Sequence, residues 1–352
     1  MRWAFCFQKI HIVIDFSCRI VYTKHDKDAL SFDFIQNGGI YLENLIRINE
    51  YPIKPVLKLL LADKSTKQNI VFATNSYTHL GKRYEESCHI DTELLLGMDA
   101  MEIQPRVLKD AADQADRTKK KAEVMTPAWI VNKMNNHCDE EWFGYSDVFN
   151  KEDGERWLVK EEPIQFPEGK TWQKYVDSMR LEITCGEAPY LVSRYDTTTG
   201  ESIPVSERIG FLDRKLRVVG ENTTTKEEWL KWVIRAFQAS YGYEYQGDNL
   251  LLARINCLIT FVDYMQDRWN EKPTDAELRK VANIIAWNIW QMDGLTGMVP
   301  FGYQEATYHQ MTLFDFLAGD EEQEKPKEAI PARIFDWRSN ESVTYNSLKE
   351  KR

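Results

Sequence analysis

Lys226-Glu-Glu-Trp-Leu-Lys-Trp-Val-Ile-Arg-Ala-Phe-Gln-Ala-Ser240 runs straight into Tyr241-Gly-Tyr-Glu244. The first stretch sets Trp229, Leu230, Trp232, Val233, Ala236 and Phe237 at helical spacing, an amphipathic helix whose aromatics read as core. The second is a short β-prone run that ends in an acid. A further helix is expected from Asp248 to Trp269, carrying Leu250, Leu251, Ala253, Ile255, Leu258, Phe261 and Val262. Pro273-Thr274 opens another, with Glu277 placed to complete a capping box, and it runs towards Ala286. Trp287-Asn-Ile-Trp-Gln-Met-Asp293 then reads as a strand that again closes on an acid. Upstream, Arg180-Leu-Glu-Ile-Thr184 reads as a strand running into Cys185-Gly186. Strand, helix, strand, helix, strand at these lengths predicts an α/β fold, a parallel sheet covered by helices.

The whole chain is consistent with that core. It has 352 residues, 43% apolar and 28% charged, a globular composition long enough for two compact units. No apolar run approaches the roughly 18 residues of a membrane helix. The nearest, Trp3 to Tyr22, is interrupted by Lys9, His11, Asp15 and Arg19, which also spoils a signal peptide. A cytoplasmic protein without membrane contact is expected. The six cysteines lack C-x-x-C spacing, so neither a zinc site nor a disulfide framework is indicated. A net charge of −10 argues against autonomous, non-specific nucleic-acid binding, which depends on Lys and Arg neutralising phosphates.

Outside the core, residues 1–35 mix aromatics and charges without a period and form a poorly defined extension. Residues 36–116 read as a small α+β module. It would hold short helices between Ile40 and Leu61 split by Pro52 and Pro55, and a strand at Asn69-Ile-Val-Phe-Ala-Thr74. Arg106 to Cys138 reads as a long helical stretch broken at Thr126-Pro127. The main α/β domain is expected over 117–300, with insertions at 140–171 and 197–225, the first an irregular connection. Residues 301–352 read as an acidic linker and a C-terminal hairpin built from Ile334-Phe-Asp-Trp337 and Ser342-Val-Thr-Tyr345.

In a parallel sheet, ligands sit beyond the carboxyl ends of the strands. Three such ends carry polar residues here. Leu181-Glu-Ile-Thr-Cys-Gly-Glu-Ala-Pro-Tyr-Leu191 sets an acid on the strand and a glycine at the expected turn into a helix, where backbone can approach a ligand closely. Glu244 is placed to accept both hydroxyls of a ribose, and Asp293 to accept from an adenine amino group. Taken singly, each reads as a plain turn or a solvated strand end. Their order and spacing give them weight, with Glu244 lying 58 residues after Gly186 and Asp293 another 49 on. The first gap exceeds the roughly 30 residues of a simple strand–helix–strand unit, hence the insertion at 197–225.

Arg117-Thr-Lys-Lys-Lys-Ala-Glu-Val-Met-Thr126-Pro127-Ala-Trp-Ile-Val131 adds a basic run leading into Thr-Pro and a helix. With it the sequence resembles adenine-specific (N6) DNA methyltransferases of restriction–modification systems, of the type described as restriction endonuclease subunit M. The resemblance is carried by Asn69–Tyr77, Arg117–Asn136, Arg180–Asp196, Arg208–Val219, Trp229–Asn256 and Asn283–Pro300. It implies a Rossmann-like, S-adenosylmethionine-dependent methyltransferase sheet behind the smaller N-terminal α+β module. Thr126 and Pro127 would pack against the methionine end of S-adenosylmethionine. Glu182, Cys185, Gly186, Pro189 and Tyr190 would surround its amino acid and sulfonium. Glu244 would hold the ribose and Asp293 the adenine. No metal is implied.

Two departures stand out. The family's turn has two or three small residues where Glu187, Pro189 and Tyr190 follow Gly186. The catalytic Asp/Asn-Pro-Pro-aromatic tetrapeptide, which binds the target amine and stacks on the flipped base, is absent, since no two prolines adjoin anywhere in the chain. Asp336-Trp337 lacks the prolines and is no substitute. No catalytic residue is therefore assigned. The reading is an S-adenosylmethionine-binding part of a DNA adenine-N6 methyltransferase, because the three acids are present and the chain stops near where the next strand would begin. A partner chain would supply the tetrapeptide and target recognition, and a restriction endonuclease would belong to the same system. The alternative is a non-catalytic binding or regulatory subunit of a restriction complex.

Double-stranded DNA would be reached through that complex. Arg117, Lys119, Lys120 and Lys121 are the candidate phosphate contacts, against the plainer reading of a solvated helix end balanced by Asp113, Asp116 and Glu123. His79, His89, His137 and His309 have no partner pattern. Gly186, Glu244 and Asp293 are expected to converge on one nucleoside-bearing molecule. A ribose-binding strand end should be functional and not structural, so Glu244→Ala is expected to weaken cofactor binding without unfolding the protein.

Overall fold

The computed structural model describes residues 46–109, 125–305 and 327–349. The residues before Ile46, and with them the N-terminal extension, lie outside it, as does the run holding Arg117, Lys119, Lys120 and Lys121. So does most of the acidic stretch from Phe316 to Lys327.

The chain enters through a 3-10 turn, Lys54–Val56, into helix α1 (Leu57–Leu61), where Pro55 sets the start of the turn. Leu57, Leu60 and Leu61 are buried. Asn69–Thr74 is not a sheet strand. It makes only isolated bridges, Ala62 with Asn69 and Val71 with His89. Its backbone is claimed by scattered partners: Ile70 donates to Leu61 O at 2.8 Å, Phe72 to Cys88 O at 3.0 Å and Ala73 to Glu86 O at 2.8 Å. Ala73 at φ +48° then turns the chain away. Helix α2 (Thr92–Leu96) begins where the Asp91 carboxylate accepts from Glu93 and Leu94 N–H at 2.9 and 3.0 Å.

Helix α3 (Ala128–Phe143) starts after Thr126-Pro127, at the break the sequence predicts, and Gly144 ends it at φ +86°. The portion of the expected Arg106–Cys138 helix that precedes the break and is described forms only a 3-10 turn, Arg106–Leu108. The stretch 140–171 is less irregular than its composition suggests. Strands β1 (Asn150–Asp153) and β2 (Arg156–Val159) form a hairpin closed by Gly154, φ +61°, and Glu155. The short helix α4 (Trp172–Val176) follows.

The decisive elements come next: β3 (Arg180–Ile183), α5 (Phe211–Asn222), α6 (Lys226–Gln238), β4 (Ser240–Glu244), α7 (Gly247–Trp269), α8 (Asp275–Asn288) and β5 (Ile289–Gln291). β3, β4 and β5 form a three-stranded parallel sheet in sequence order, with Arg180 opposite Ser240 and Glu244 opposite Gln291. The fold is thus mixed α/β, a small parallel sheet with helices packed on it. α8 carries the expected capping box, Thr274 N–H donating to Glu277 Oε2 at 2.7 Å. It runs on through Trp287 and Asn288, so β5 begins two residues later than its composition suggests. Where an insertion is expected at 197–225, the chain forms α5, whose Asp213, Arg214 and Lys215 are all buried.

Side chains alternate across the sheet. Leu181, Tyr241, Tyr243 and Trp290 face a second core with Val299, Ala332, Ile334 and Tyr345. Those residues come from β6 (Met298–Glu305), β7 (Lys327–Pro331), β8 (Arg333–Asp336), β9 (Glu341–Thr344) and the closing helix α9 (Tyr345–Lys349). β8 and β9 are the C-terminal hairpin read from the sequence. The opposite face meets the main core, which spans both the N-terminal module and the helices.

Buried arginines tie the elements of that core together. Arg214 donates to Asp139 at 2.6 Å and to Asn132 and Asn136 at 2.8 Å, joining α5 to α3. Arg254 on α7 is fully buried and donates to the carbonyls of Leu60 (2.5 Å), Ala62 (3.1 Å), Ile289 (2.8 Å) and Ala286 (3.3 Å). One guanidinium so ties α1, α8 and β5 together. Arg254→Met should lower the unfolding free energy by about 3–5 kcal/mol, since four carbonyls lose a charged donor in a dry site. Urea denaturation measures it, and a loss below about 1 kcal/mol would mean that water replaces the guanidinium.

Candidate functional site

β3 and β4 end side by side, and a hydrogen bond joins their exits. The Gly186 N–H donates to Glu244 Oε2 at 2.9 Å. Glu244 Oε1 accepts from the N–H groups of Tyr245 at 2.9 Å and Gln246 at 3.1 Å. One strand over, the Met292 N–H donates to the Glu244 carbonyl at 3.1 Å, which brings Asp293 to the same edge of the sheet. Gly186, Glu244 and Asp293 therefore stand at the carboxyl ends of three adjacent parallel strands. Gly186 is half-buried at φ +52°, and among the described residues a Cβ there would meet only Met125 Cε, at 4.0 Å. The glycine suits the left-handed turn.

The turn after Gly186 does not enter a helix. Residues 186–191 make successive turns, with Ala188 buried at φ +67°, and the next helix, α5, starts only at Phe211. The free N–H groups expected at a helix start are therefore not at Gly186, and those of α5 are already used. Phe211 N–H donates to Tyr190 O at 2.8 Å and Leu212 N–H to Leu191 O at 2.9 Å. Glu182 has a related structural task. Its buried carboxylate accepts from Tyr190 N–H at 3.2 Å and Leu191 N–H at 2.9 Å, folding the turn back onto β3. Burial pushes its carboxyl well above the usual range, the two N–H donors oppose the rise, and the Glu244 charge adds to it.

Cys185 is buried beneath the turn, and its N–H donates to Tyr243 O at 2.8 Å. Burial, then the charges of Glu182 and Glu244, pushes its thiol well up, so it is not a ready nucleophile. Tyr190 directs its hydroxyl to Met134 Sδ at 3.3 Å, and Pro189 beside it is half-buried. Thr126 and Pro127 flank the turn through their neighbour Met125. Thr126 O accepts from the Thr197 hydroxyl at 3.1 Å, and the first N–H of α3, on Ala128, donates to Asp196 Oδ2 at 2.6 Å. Asp293 caps its own turn, its Oδ1 accepting from Leu295 N–H at 2.8 Å and Thr296 N–H at 3.3 Å.

Three further residues frame the strand ends. Glu187 appears in the sequence only as an unusual residue after Gly186, and Gln291 and Asp248 carry no signal. Glu187 points inward, Oε1 accepting from Arg106 N–H and Oε2 from the Tyr195 hydroxyl, both at 2.6 Å. The bulkier residue at a position of small ones is thus buried in the turn. Gln291 at the end of β5 accepts from Val71 N–H and donates to Val71 O, each at 2.9 Å, and donates to Tyr245 O at 2.8 Å. It docks the Asn69–Tyr77 segment over the strand ends as a pairing strand would. Asp248, fully buried in the first turn of α7, accepts from the Tyr77 hydroxyl at 3.0 Å and Lys109 Nζ at 3.1 Å. Most of these partners are remote in sequence, 220 residues away for Gln291 and Val71, though Tyr195 lies only eight residues from Glu187.

No family model, no curated protein and no solved structure matches this chain. Among the described residues no group of three or more His, Cys, Asp or Glu side chains is arranged to hold a metal ion, and no helix is long and apolar enough to cross a membrane. A surface cavity of 740 Å³ between α4 and α6, lined by Trp232, Arg235 and Lys280 among others, shares no residue with the Gly186–Glu244 crevice.

The geometry gives Glu244 a structural task besides the one read from the sequence. Its carboxylate holds three backbone N–H groups from two connections, so Glu244→Ala should cost about 2–4 kcal/mol of stability, seen as a clear drop in melting temperature. Glu244→Gln, which keeps an acceptor, should lose markedly less. A second outcome concerns Asp213 in the first turn of α5, which accepts from Ser193 N–H at 2.8 Å. Burial lifts its carboxyl from 3.8 to about 6, against the opposing Arg208 charge and the Ser193 donors. The native state therefore takes up this proton before the unfolded chain does as pH falls. Its contribution favours folding below about pH 4 and is lost as pH rises to about 6, a change of about 3 kcal/mol. In Asp213→Asn that segment of the stability–pH curve should flatten.

Proposed function

We propose that the crevice at the ends of β3, β4 and β5 binds the nucleoside and methionine portions of S-adenosylmethionine, and that the chain serves DNA adenine-N6 methylation. On this reading the parallel sheet is the core of a Rossmann-like methyltransferase domain. The observation that carries it is the hydrogen bond from Gly186 to Glu244 with Asp293 on the next strand end, an open glycine turn flanked by two acids. The residues suit the cofactor's chemistry. Among the described residues only Met125 Cε comes within 4 Å of a Cβ built on Gly186, and a carboxylate is the kind of acceptor that ribose hydroxyls need.

S-adenosylmethionine, when bound, supplies a methyl group activated on sulfonium. The chain's own task is to orient it. Gly186 and the Met125-Thr126-Pro127 segment would hold the methionine end, Glu244 the ribose and Asp293 the adenine amino group. Orientation of amine and methyl is the main contribution a protein makes to such an in-line displacement.

The side chain that would bind the target amine is to come from a partner. β3 supports this, being the outer strand of the sheet among the described residues. Arg180 N–H donates inward to Ala239 O at 3.0 Å, so by alternation the backbone groups of Leu181 and Ile183 face outward, where an added strand can pair. The second reading, a non-catalytic subunit of a restriction complex, is favoured by the absence of a Pro-Pro pair and by the backbone N–H groups that occupy both Glu182 and Glu244.

Calorimetric titration with S-adenosylmethionine separates the two, run on the chain alone and mixed with a chain that carries the tetrapeptide. Binding is expected in at least one arm. Asp293→Ala should weaken it about tenfold at a stability cost of no more than about 1–2 kcal/mol, because that carboxylate's described bonds cap its own exposed turn. No heat in either arm would leave the non-catalytic reading alone.

A further inference from the structure

One short stretch bridges the two sides of the crevice. In residues 105–109, which include the 3-10 turn Arg106–Leu108, the Arg106 N–H is bonded to Glu187 at 2.6 Å and Lys109 Nζ to Asp248 at 3.1 Å. Glu187 directly follows Gly186 on the β3 side. Asp248 lies in the first turn of α7, four residues beyond Glu244 on the β4 side. Both carboxylates are buried, at 1% and 0% exposure, and Lys109 retains only 8%. A charge pair so dry is costly to break on one side only.

Glu187 is also fixed from behind. Its Oε2 accepts from Tyr195, while Asn256 on α7 donates to the Glu187 carbonyl at 3.0 Å and to the Tyr195 hydroxyl at 3.1 Å. Ala188 next to it is buried in a left-handed conformation that alanine rarely adopts, so the surroundings hold the turn in shape. The carboxylate that anchors the strap is thus in the same rigid turn that presents Gly186.

We propose that Glu187 is a positioning residue that couples the 105–109 strap to the Gly186 turn, so that the shape of the turn and the docking of the strap are gained and lost together. The inference rests on the nucleoside reading only in taking the ligand to be S-adenosylmethionine. Linkage then requires that a ligand seated on the turn tighten the strap, and that a docked strap favour the ligand.

Hydrogen exchange on the full chain tests this. Lys109→Met releases the far anchor without touching the turn, and should raise exchange of the 185–191 amides at least threefold while α7 beyond its first turn stays unchanged. Lys109→Arg should restore protection. Glu187→Ala should raise exchange at 106–109 to a similar degree, with Glu187→Gln, which keeps an acceptor, recovering most of it. S-adenosylmethionine should slow exchange in both stretches of the wild type, and only in 185–191 of Glu187→Ala. Changes confined to the substituted stretch, or ligand protection of the wild-type turn without the strap, overturn the coupling. If S-adenosylmethionine slows neither stretch, the nucleoside reading fails, and the ligand-free variants still decide for or against Glu187.

Discussion

The Glu244 carboxylate takes one N–H from the exit of β3 and two from the exit of β4, and it does so where three parallel strands end together. Parallel strands give no tight turn to fix their exits. Each chain end must be bent into its connection by something else, and here a buried acid does it. Glu182 does the same on the neighbouring strand, holding Tyr190 and Leu191. With both carboxylates bonded to backbone, the loop from Cys185 to Leu191 packs against Gly242, whose missing side chain leaves room for Leu191 and Cys185 at 3.1–3.3 Å.

That arrangement depends in turn on how the N-terminal module is attached. Gln291 imitates a neighbouring strand with its amide, and Arg254 collects carbonyls from α1, α8 and β5. Both side chains are fully buried, and both replace hydrogen bonds that water would otherwise supply. The Gly247 N–H adds a bond to Phe72 O at 2.8 Å, in a gap so close that a Cβ on Gly247 would meet Val71 O at 2.0 Å. The 69–77 segment is therefore a wall of the crevice, and its irregular path follows from partners supplied by several elements in place of one strand.

On the proposed reading the same residues would carry two duties. Acids that suit a ribose and an adenine in character are partly spent on shaping the backbone, so a ligand at this edge of the sheet would share them with the turns that they hold.

Much of the fold was legible in local pattern. The α6-to-β4 passage, the capping box of α8 and the C-terminal hairpin follow from helical and alternating periodicity, capping and turn chemistry, which act over a few residues. So did the placement of Gly186, Glu244 and Asp293 at one sheet edge, because parallel strands joined by helices leave their ends together. The sequence did not disclose that α5 belongs to the core, since its buried Asp213, Arg214 and Lys215 look like a solvated face until Ser193, Asp139 and the Ser178 and Ala239 carbonyls surround them. Nor did it disclose that Asn69–Thr74 goes unpaired, or that Glu187, Gln291 and Asp248 frame the crevice. Those outcomes were decided by tertiary structure, because a buried polar group is stabilised only by its partner, and here most partners come from other elements, as far as 220 residues away for Gln291 and Val71.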